Sequence, residues 1–368
     1  MTERERFLTV VHGGTPDRVP YFLDLGHWLR AESGKKWNLF TVSNRTEECA
    51  QLHREVRAGW YVEVGALHET YFDDEVQHTR EMLGDDVVEK YITPKGELTM
   101  KRRWNPISSS WDITKRMVED ADDLALLTYA TQHKHFRAKY EVWDEIERIG
   151  GDIGLGFPGL GYTALGSLIS YYGGVENTIF LTYDEPEAFM EYVETYNGKF
   201  LEMLDIYCDP ACPAPHMLFS DNLSSDVQPP ELFNKYSFGV YKAIADRLHA
   251  AGKTVSAHVD GRMNNILSIV AAAGVDVADA CTPAPTGDLT PAEIRRQAGN
   301  MVIMGGISPC MWLPQTPEKE FIRHVRDWLD TRWTSPRIVQ SAGDQVPPGT
   351  KLQRIKLLYD IVEEYGRY

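Results

Sequence analysis

Asp221, His258, Asp260 and Asp344 each stand at the end of a short apolar run in the C-terminal half of the chain. One residue separates His258 from Asp260, so in a strand both side chains share a face, about 7 Å apart. An imidazole with carboxylates can bind a divalent metal, zinc or a harder ion such as magnesium or manganese. Without metal, the same set is an acid–base site: one carboxylate orients the imidazole and another holds a raised pKa. A single His-x-Asp also occurs as a hydrogen bond closing a strand-to-loop turn. Its recurrence with aspartates at other strand ends points to chemistry.

The elements that must position these residues follow a regular rhythm. Apolar runs at Met217–Ser220, Thr254–Ala257, Val275–Ala280, Met301–Met304 and Ile338–Ser341 alternate with helical patterns. Those patterns lie at Pro230–Ala250, Asn264–Ala273, Pro291–Ala298, Pro317–Trp328 and Lys351–Tyr365. Such alternation implies parallel strands joined by right-handed crossovers. Strand patterns at Arg18–Asp24, Gly59–Leu67 and Asp152–Phe157 bring the set to eight. The expected fold class is α/β, a (β/α)8 TIM-type barrel, whose sites lie at the C-terminal strand ends.

The rest reads as an N-terminal helical and β-hairpin elaboration. Helices are expected at Glu3–His12, Thr46–Ala58, Ala121–Leu127, Phe136–Ile149, near Thr163–Tyr171 and at Pro186–Tyr207. Val87–Ile92 and Glu97–Arg103, joined by Thr93-Pro94-Lys95-Gly96, form a hairpin. Nothing resembles a linker, so residues 1–368 are expected to be one barrel domain with an excursion at about 85–105.

Other residues complete the expected mouth. His27 and Trp28 follow the first strand beyond Asp24, and His68 and Glu69 follow the second; these are candidates for lining a substrate pocket. Arg262, just after the His-x-Asp turn, suits clamping a carboxylate or phosphate. Gly154-Leu155-Gly156-Phe157-Pro158-Gly159 matches a dinucleotide fingerprint in letter only. Pro158 removes a backbone N–H that a pyrophosphate needs, so this reads as a glycine-rich loop beside the pocket. Cys208 and Cys212 lack the second pair of a zinc ribbon.

Composition excludes several classes. The 368 residues carry a formal charge of −16, against binding nucleic acid or anionic membrane non-specifically. No run reaches membrane-span length, and the charged N-terminus is not a secretory signal. Five scattered cysteines suit a reducing cytoplasm.

On these residues the chain resembles the uroporphyrinogen decarboxylase superfamily, and within it the corrinoid-dependent methyltransferases. Glu5-Arg6-Phe7-Leu8 with Pro16-Asp17-Arg18-Val19-Pro20 is similar to the N-terminal signature of the methyltransferase-like members. Phe219-Ser220-Asp221 with Pro230-Glu231-Leu232-Phe233, and Asp344-Gln345-Val346-Pro347-Pro348, resemble the mid-chain strand and helix and the final loop. The resemblance spans nearly the whole chain and implies the same barrel.

Two departures shape what it implies. The decarboxylases carry an arginine-rich segment, Arg-Gln-Ala-Gly-Arg-Tyr, that grips porphyrinogen carboxylates; Asp24-Leu25-Gly26-His27-Trp28-Leu29-Arg30 stands here instead. Thiol-methylating members bind zinc through His-x-Cys and a later Cys, which fall on His258, Asp260 and Asp344. Carboxylates make a harder site than thiolates and argue against thiol activation. The resemblance therefore implies demethylation of a small O- or N-methylated compound, aromatic bodies included. The methyl group passes to cobalamin held by a separate corrinoid protein. His258, Asp260 and Asp344 then hold a divalent metal, zinc foremost, or act as acids, and Asp221 is a further ligand or orienting group. The likeness is compatible with a homodimer. Two other functions fit the same residues: a lyase or decarboxylase acting on a small organic acid, and a ligand-binding barrel without catalysis.

Overall fold

The computed structural model describes residues 1–34, 36–40 and 45–368. Eight strands form one parallel sheet: β1 (Phe22–Leu23), β2 (Gly59–Gly65), β3 (Gly154–Gly161), β4 (His216–Phe219), β5 (Thr254–His258), β6 (Val277–Cys281), β7 (Val302–Gly305) and β8 (Ile338–Gln340). They pair in chain order, and a parallel bridge between Tyr21 and Gln340 closes β8 onto the first strand. The molecule is thus a (β/α)8 barrel, built from the eight runs that periodicity selects.

The N-terminal helix α1 (Glu3–Val11) explains which end is open. Thr2 and Glu5 cap it reciprocally, Thr2 Oγ1 accepting from the Glu5 N–H and Glu5 accepting from the Thr2 N–H. Its Phe7 is fully buried, edge-on to Phe22, Phe157 and His216 at 5.3–5.7 Å between ring centres. Burying such a ring contributes about 1.5–3 kcal/mol. This aromatic cluster fills the barrel floor, leaving the C-terminal strand ends as the mouth.

Beside the mouth lies an elaboration larger than a hairpin. The expected hairpin forms the centre of a four-stranded antiparallel sheet, Gln77–Leu83, Asp86–Thr93, Gly96–Asn105 and Ser110–Lys115. The expected helix over 136–149 divides: Lys134–Ala138 pairs antiparallel with His68–Phe72, and helix begins only at Glu141. A distant strand supplies hydrogen bonds that local helical pattern does not outweigh. Helix α2 (Ala121–Gln132) packs between this sheet and the long helix α3 (Pro186–Cys208), and α3 joins this part to the barrel. The expected Pro230–Ala250 helix breaks at Ser237, leaving Pro230–Tyr236 and α4 (Phe238–Ala250). The glycine-rich stretch is no loop: β3 runs through it to Gly161. Among the described residues, no helix is long and apolar enough to cross a membrane.

Candidate functional site

Alternation along β5 buries Val255, Ala257 and Val259 outward, and turns His258 and Asp260 into the mouth. The neighbouring strand places Asp279 directly beside His258 in register. His258 Nδ1 lies 3.2 Å from Asp279 Oδ2, and that carboxylate also accepts from the Tyr61 hydroxyl at 3.1 Å. Tyr61 is held flat against Phe157, with ring centres 4.3 Å apart. The imidazole is therefore fixed from behind.

Its other nitrogen, Nε2, lies 3.7 Å from Asp344 Oδ1. Asp344 reaches this place because the chain doubles back after β8, with an antiparallel bridge between Ala342 and Asp344. Gly343 makes that turn at φ +95°, and a Cβ there would stand 2.4 Å from the Ile307 carbonyl oxygen. Only glycine fits both conditions.

One ligand atom from each of His258, Asp260 and Asp344 lies within 4.8 Å of the others. Donors around a zinc ion sit about 3–4 Å apart, so small side-chain rotations complete a shell. A carboxylate on the far ring nitrogen, as Asp279 provides, is the usual support of a metal-binding histidine. The residues thus fit a divalent cation. No cysteine is among the described residues lining this cavity of about 270 Å3, which also includes Asp24, Asn222, Ser341 and Gln345.

The electrostatics suit either a cation or a proton. Burial lowers the affinity of His258 for a proton. The Asp279 hydrogen bond and the charges of Asp344, Asp279 and Asp260 outweigh it and hold the ring up at about 9. Desolvation raises the Asp344 carboxyl, His258 lowers it, and Asp260, Asp24 and Asp279 raise it again, leaving it pushed up to about 6. Its side chain is 43% exposed, so solvent relieves part of the burial effect; the crowding of carboxylates sustains the direction.

The structure brings together three of the four strand-end residues. Asp221 is not with them. It is 1% exposed and faces outward between Thr163 and α4, accepting from the Thr163 N–H at 2.6 Å, the Thr163 hydroxyl at 2.8 Å and the Tyr241 hydroxyl at 3.0 Å. Its neighbours Ser220 and Asn222 face the cavity instead. Burial, against these hydrogen bonds, pushes the Asp221 carboxyl up to about 6.

The expected pocket-lining residues divide. His27 bonds to the Ser108 carbonyl of the elaboration, and the Trp28 indole N–H donates to the Thr350 carbonyl, tying down the final loop. Neither lines this cavity or the one beside it. Arg262 pairs with Asp226 at 3.3 Å at the surface, both side chains 61% exposed, which corrects its expected place at the site. His68 lines the adjoining cavity of about 380 Å3, where Tyr207 meets its Nδ1 at 2.9 Å. Burial pushes that ring down to about 4, so it is neutral. The two cavities meet along Tyr162, Leu218 and Ser220.

Asp279 and Tyr61 are site residues that sequence reading passes over. The signal for Asp279 is its charge inside the otherwise apolar run Val277–Cys281; Tyr61, an aromatic within β2, carries none.

Residues 113–365 match the family model of uroporphyrinogen decarboxylase (URO-D). Among solved structures, the chain is similar to a methyltransferase from Methanosarcina mazei, with a TM-score of 0.59, 16% identity and 99% of each chain covered. A protein assigned as a vitamin-B12-independent methionine synthase from Listeria monocytogenes aligns at a TM-score of 0.42 and 10% identity, over 96% of this chain and 98% of that one. No protein of curated function matches the sequence. At 16% identity the likeness to the Methanosarcina mazei protein concerns the fold.

Proposed function

Because the chain belongs to the uroporphyrinogen decarboxylase family, we propose that it is a methyltransferase that demethylates a small O- or N-methylated organic compound. The methyl group passes to the Co(I) corrinoid of a separate protein docked over the mouth. The observation that carries this reading is the donor set, His258, Asp260 and Asp344 converging at the strand ends with no thiol among them. Oxygen donors suit activation of an oxygen or nitrogen leaving group better than activation of a thiol.

A bound divalent metal, zinc foremost, would supply the Lewis acidity that polarises the leaving atom. His258 Nε2, Asp260 and Asp344 would hold it. Asp279 and Tyr61 keep the ring turned toward it. The partner's corrinoid would supply the electron pair that accepts the methyl group, and the leaving oxygen or nitrogen would keep the pair of its broken bond to methyl, next to His258, Asp260 and Asp344. That chemistry needs no serine or cysteine nucleophile from this chain.

A second reading is favoured by one observation: an imidazole held up at about 9 beside a carboxyl at about 6. Such a pair suits a lyase or decarboxylase acting on a small organic acid. Elemental analysis separates the two. The methyltransferase reading expects stoichiometric zinc, lost in His258→Ala and bound about 10–100-fold more weakly in Asp279→Asn. Purified protein with a corrinoid protein should then methylate cobalt, read from its visible spectrum, when offered aryl methyl ethers or methylamines. No cobalt methylation across that panel sinks the proposal. Substrate-dependent release of CO2 without corrinoid selects the second reading.

A further inference from the structure

The larger cavity sits where the barrel meets the elaboration, and its lining has a one-sided charge. Among the described residues around it are two lysines, Lys134 and Lys199, and no carboxylate. Lys199 is already paired with Glu202 at 2.9 Å. Lys134 is not paired. Its ammonium stands 5.3 Å over the Tyr196 ring, and no described carboxylate lies within ion-pair distance of it. The nearest acidic influence is Glu89, whose carboxylate is committed to Arg80 and His78, each at 2.8 Å. Arg80 and Lys199 add further positive charge to its surroundings.

A half-buried ammonium facing a cavity without its own counter-ion loses hydration and gains from a negative charge brought to it. Much of the remaining wall is aromatic, with Phe136, Tyr162, Tyr171 and Tyr196, and neutral His68, Thr70, Thr131 and Ser220 add polar points. Aromatic walls suit a planar ring. The volume of about 380 Å3 is that of a small-molecule pocket. The cavity opens onto the His258 cavity along Tyr162, Leu218 and Ser220.

We propose that this cavity is a carboxylate-recognising subsite for an aromatic acid. Lys134 pairs with the carboxylate, the tyrosines and Phe136 sandwich the ring, and the methylated end reaches His258, Asp260 and Asp344. Desolvation, with Arg80 and Lys199, pushes the Lys134 ammonium down to about 8 against the pull of Glu89, so it is still charged at neutral pH and gains from an anion. The inference rests on the demethylation reading for the identity of the reacting end, and on the cavity alone for the carboxylate.

Direct binding tests it without turnover. Calorimetry with 4-methoxybenzoate and its neutral analogue 4-methoxybenzamide should give the acid about tenfold or more the affinity of the amide at pH 7. Lys134→Met should bring the two within about twofold, whereas Lys134→Arg retains the preference for the acid. His258→Ala should leave that preference in place. Equal affinity of the unaltered protein for acid and amide overturns the proposal without any variant, as does a preference that survives in folded Lys134→Met. If the acid preference holds but no cobalt methylation follows, the demethylation reading falls and the carboxylate subsite stands.

Discussion

Asp221 and Asp260 both end strands, and one position of parity separates their fates. Asp221 faces outward, where Thr163 and Tyr241 donate to it and water does not reach. Its folded-state pKa, about 6, is above the ordinary value of 3.8, so the folded protein holds this proton more tightly than the unfolded chain. The linked stability is fully present below pH 4 and is lost as pH rises through about 6. The loss is on the order of 2–3 kcal/mol. Urea titrations of wild type and Asp221→Asn should show it: the difference between them should favour wild type at pH 4 relative to pH 7. Zinc content should be the same in both, and its loss in Asp221→Asn would return Asp221 to the metal site. Spacing makes His258 and Asp260 legible in the sequence, since i and i+2 must share a face. The same rule, applied to Ser220, Asp221 and Asn222, separates Asp221 from its neighbours but not from the site, because sequence does not say which face is inward. Lys134 escapes for a different reason: its role depends on Glu89 being engaged elsewhere, which is a fact of packing.

At the scale of elements, the turn after β8 decides whether Asp344 meets His258. Gly343→Ala imposes a left-handed backbone on a residue with a Cβ and drives that Cβ against the Ile307 carbonyl, 2.4 Å away. The turn must open, moving Asp344 from its 3.7 Å approach to His258. Equilibrium unfolding should show a loss of about 1–3 kcal/mol, and zinc affinity should fall with it. Full zinc affinity in a folded Gly343→Ala would mean that Asp344 is not a ligand. The barrel strands are legible because each is a buried apolar run followed by a helix, a pattern local to the chain. The elaboration is less so. Gln77–Leu83 is an edge strand with exposed, mostly polar residues, and Lys134–Ala138 is a strand because His68–Phe72, more than sixty residues earlier, pairs with it.

Over the whole molecule, two buried cores share one helix. Phe200, Met203, Leu204 and Tyr207 of α3 belong to the barrel core, and Phe189, Tyr192 and Val193 of the same helix belong to the core beneath the elaboration. A rigid helix seated in both cores couples their unfolding, so heating should give one transition, with coincident midpoints by near- and far-ultraviolet circular dichroism. Gly198 lies in α3 between the two sets, and a Cβ there would meet nothing within 4 Å. Gly198→Ala removes backbone freedom from the unfolded chain at no steric cost and should stabilise the protein by about 0.5–1 kcal/mol. Because the change sits at the junction, hydrogen exchange should slow in β4 and β5 and in the elaboration sheet alike. Protection gained only in the elaboration would mean that the two cores open separately. The larger cavity, walled by both, would then be assembled only when the elaboration is closed on the barrel.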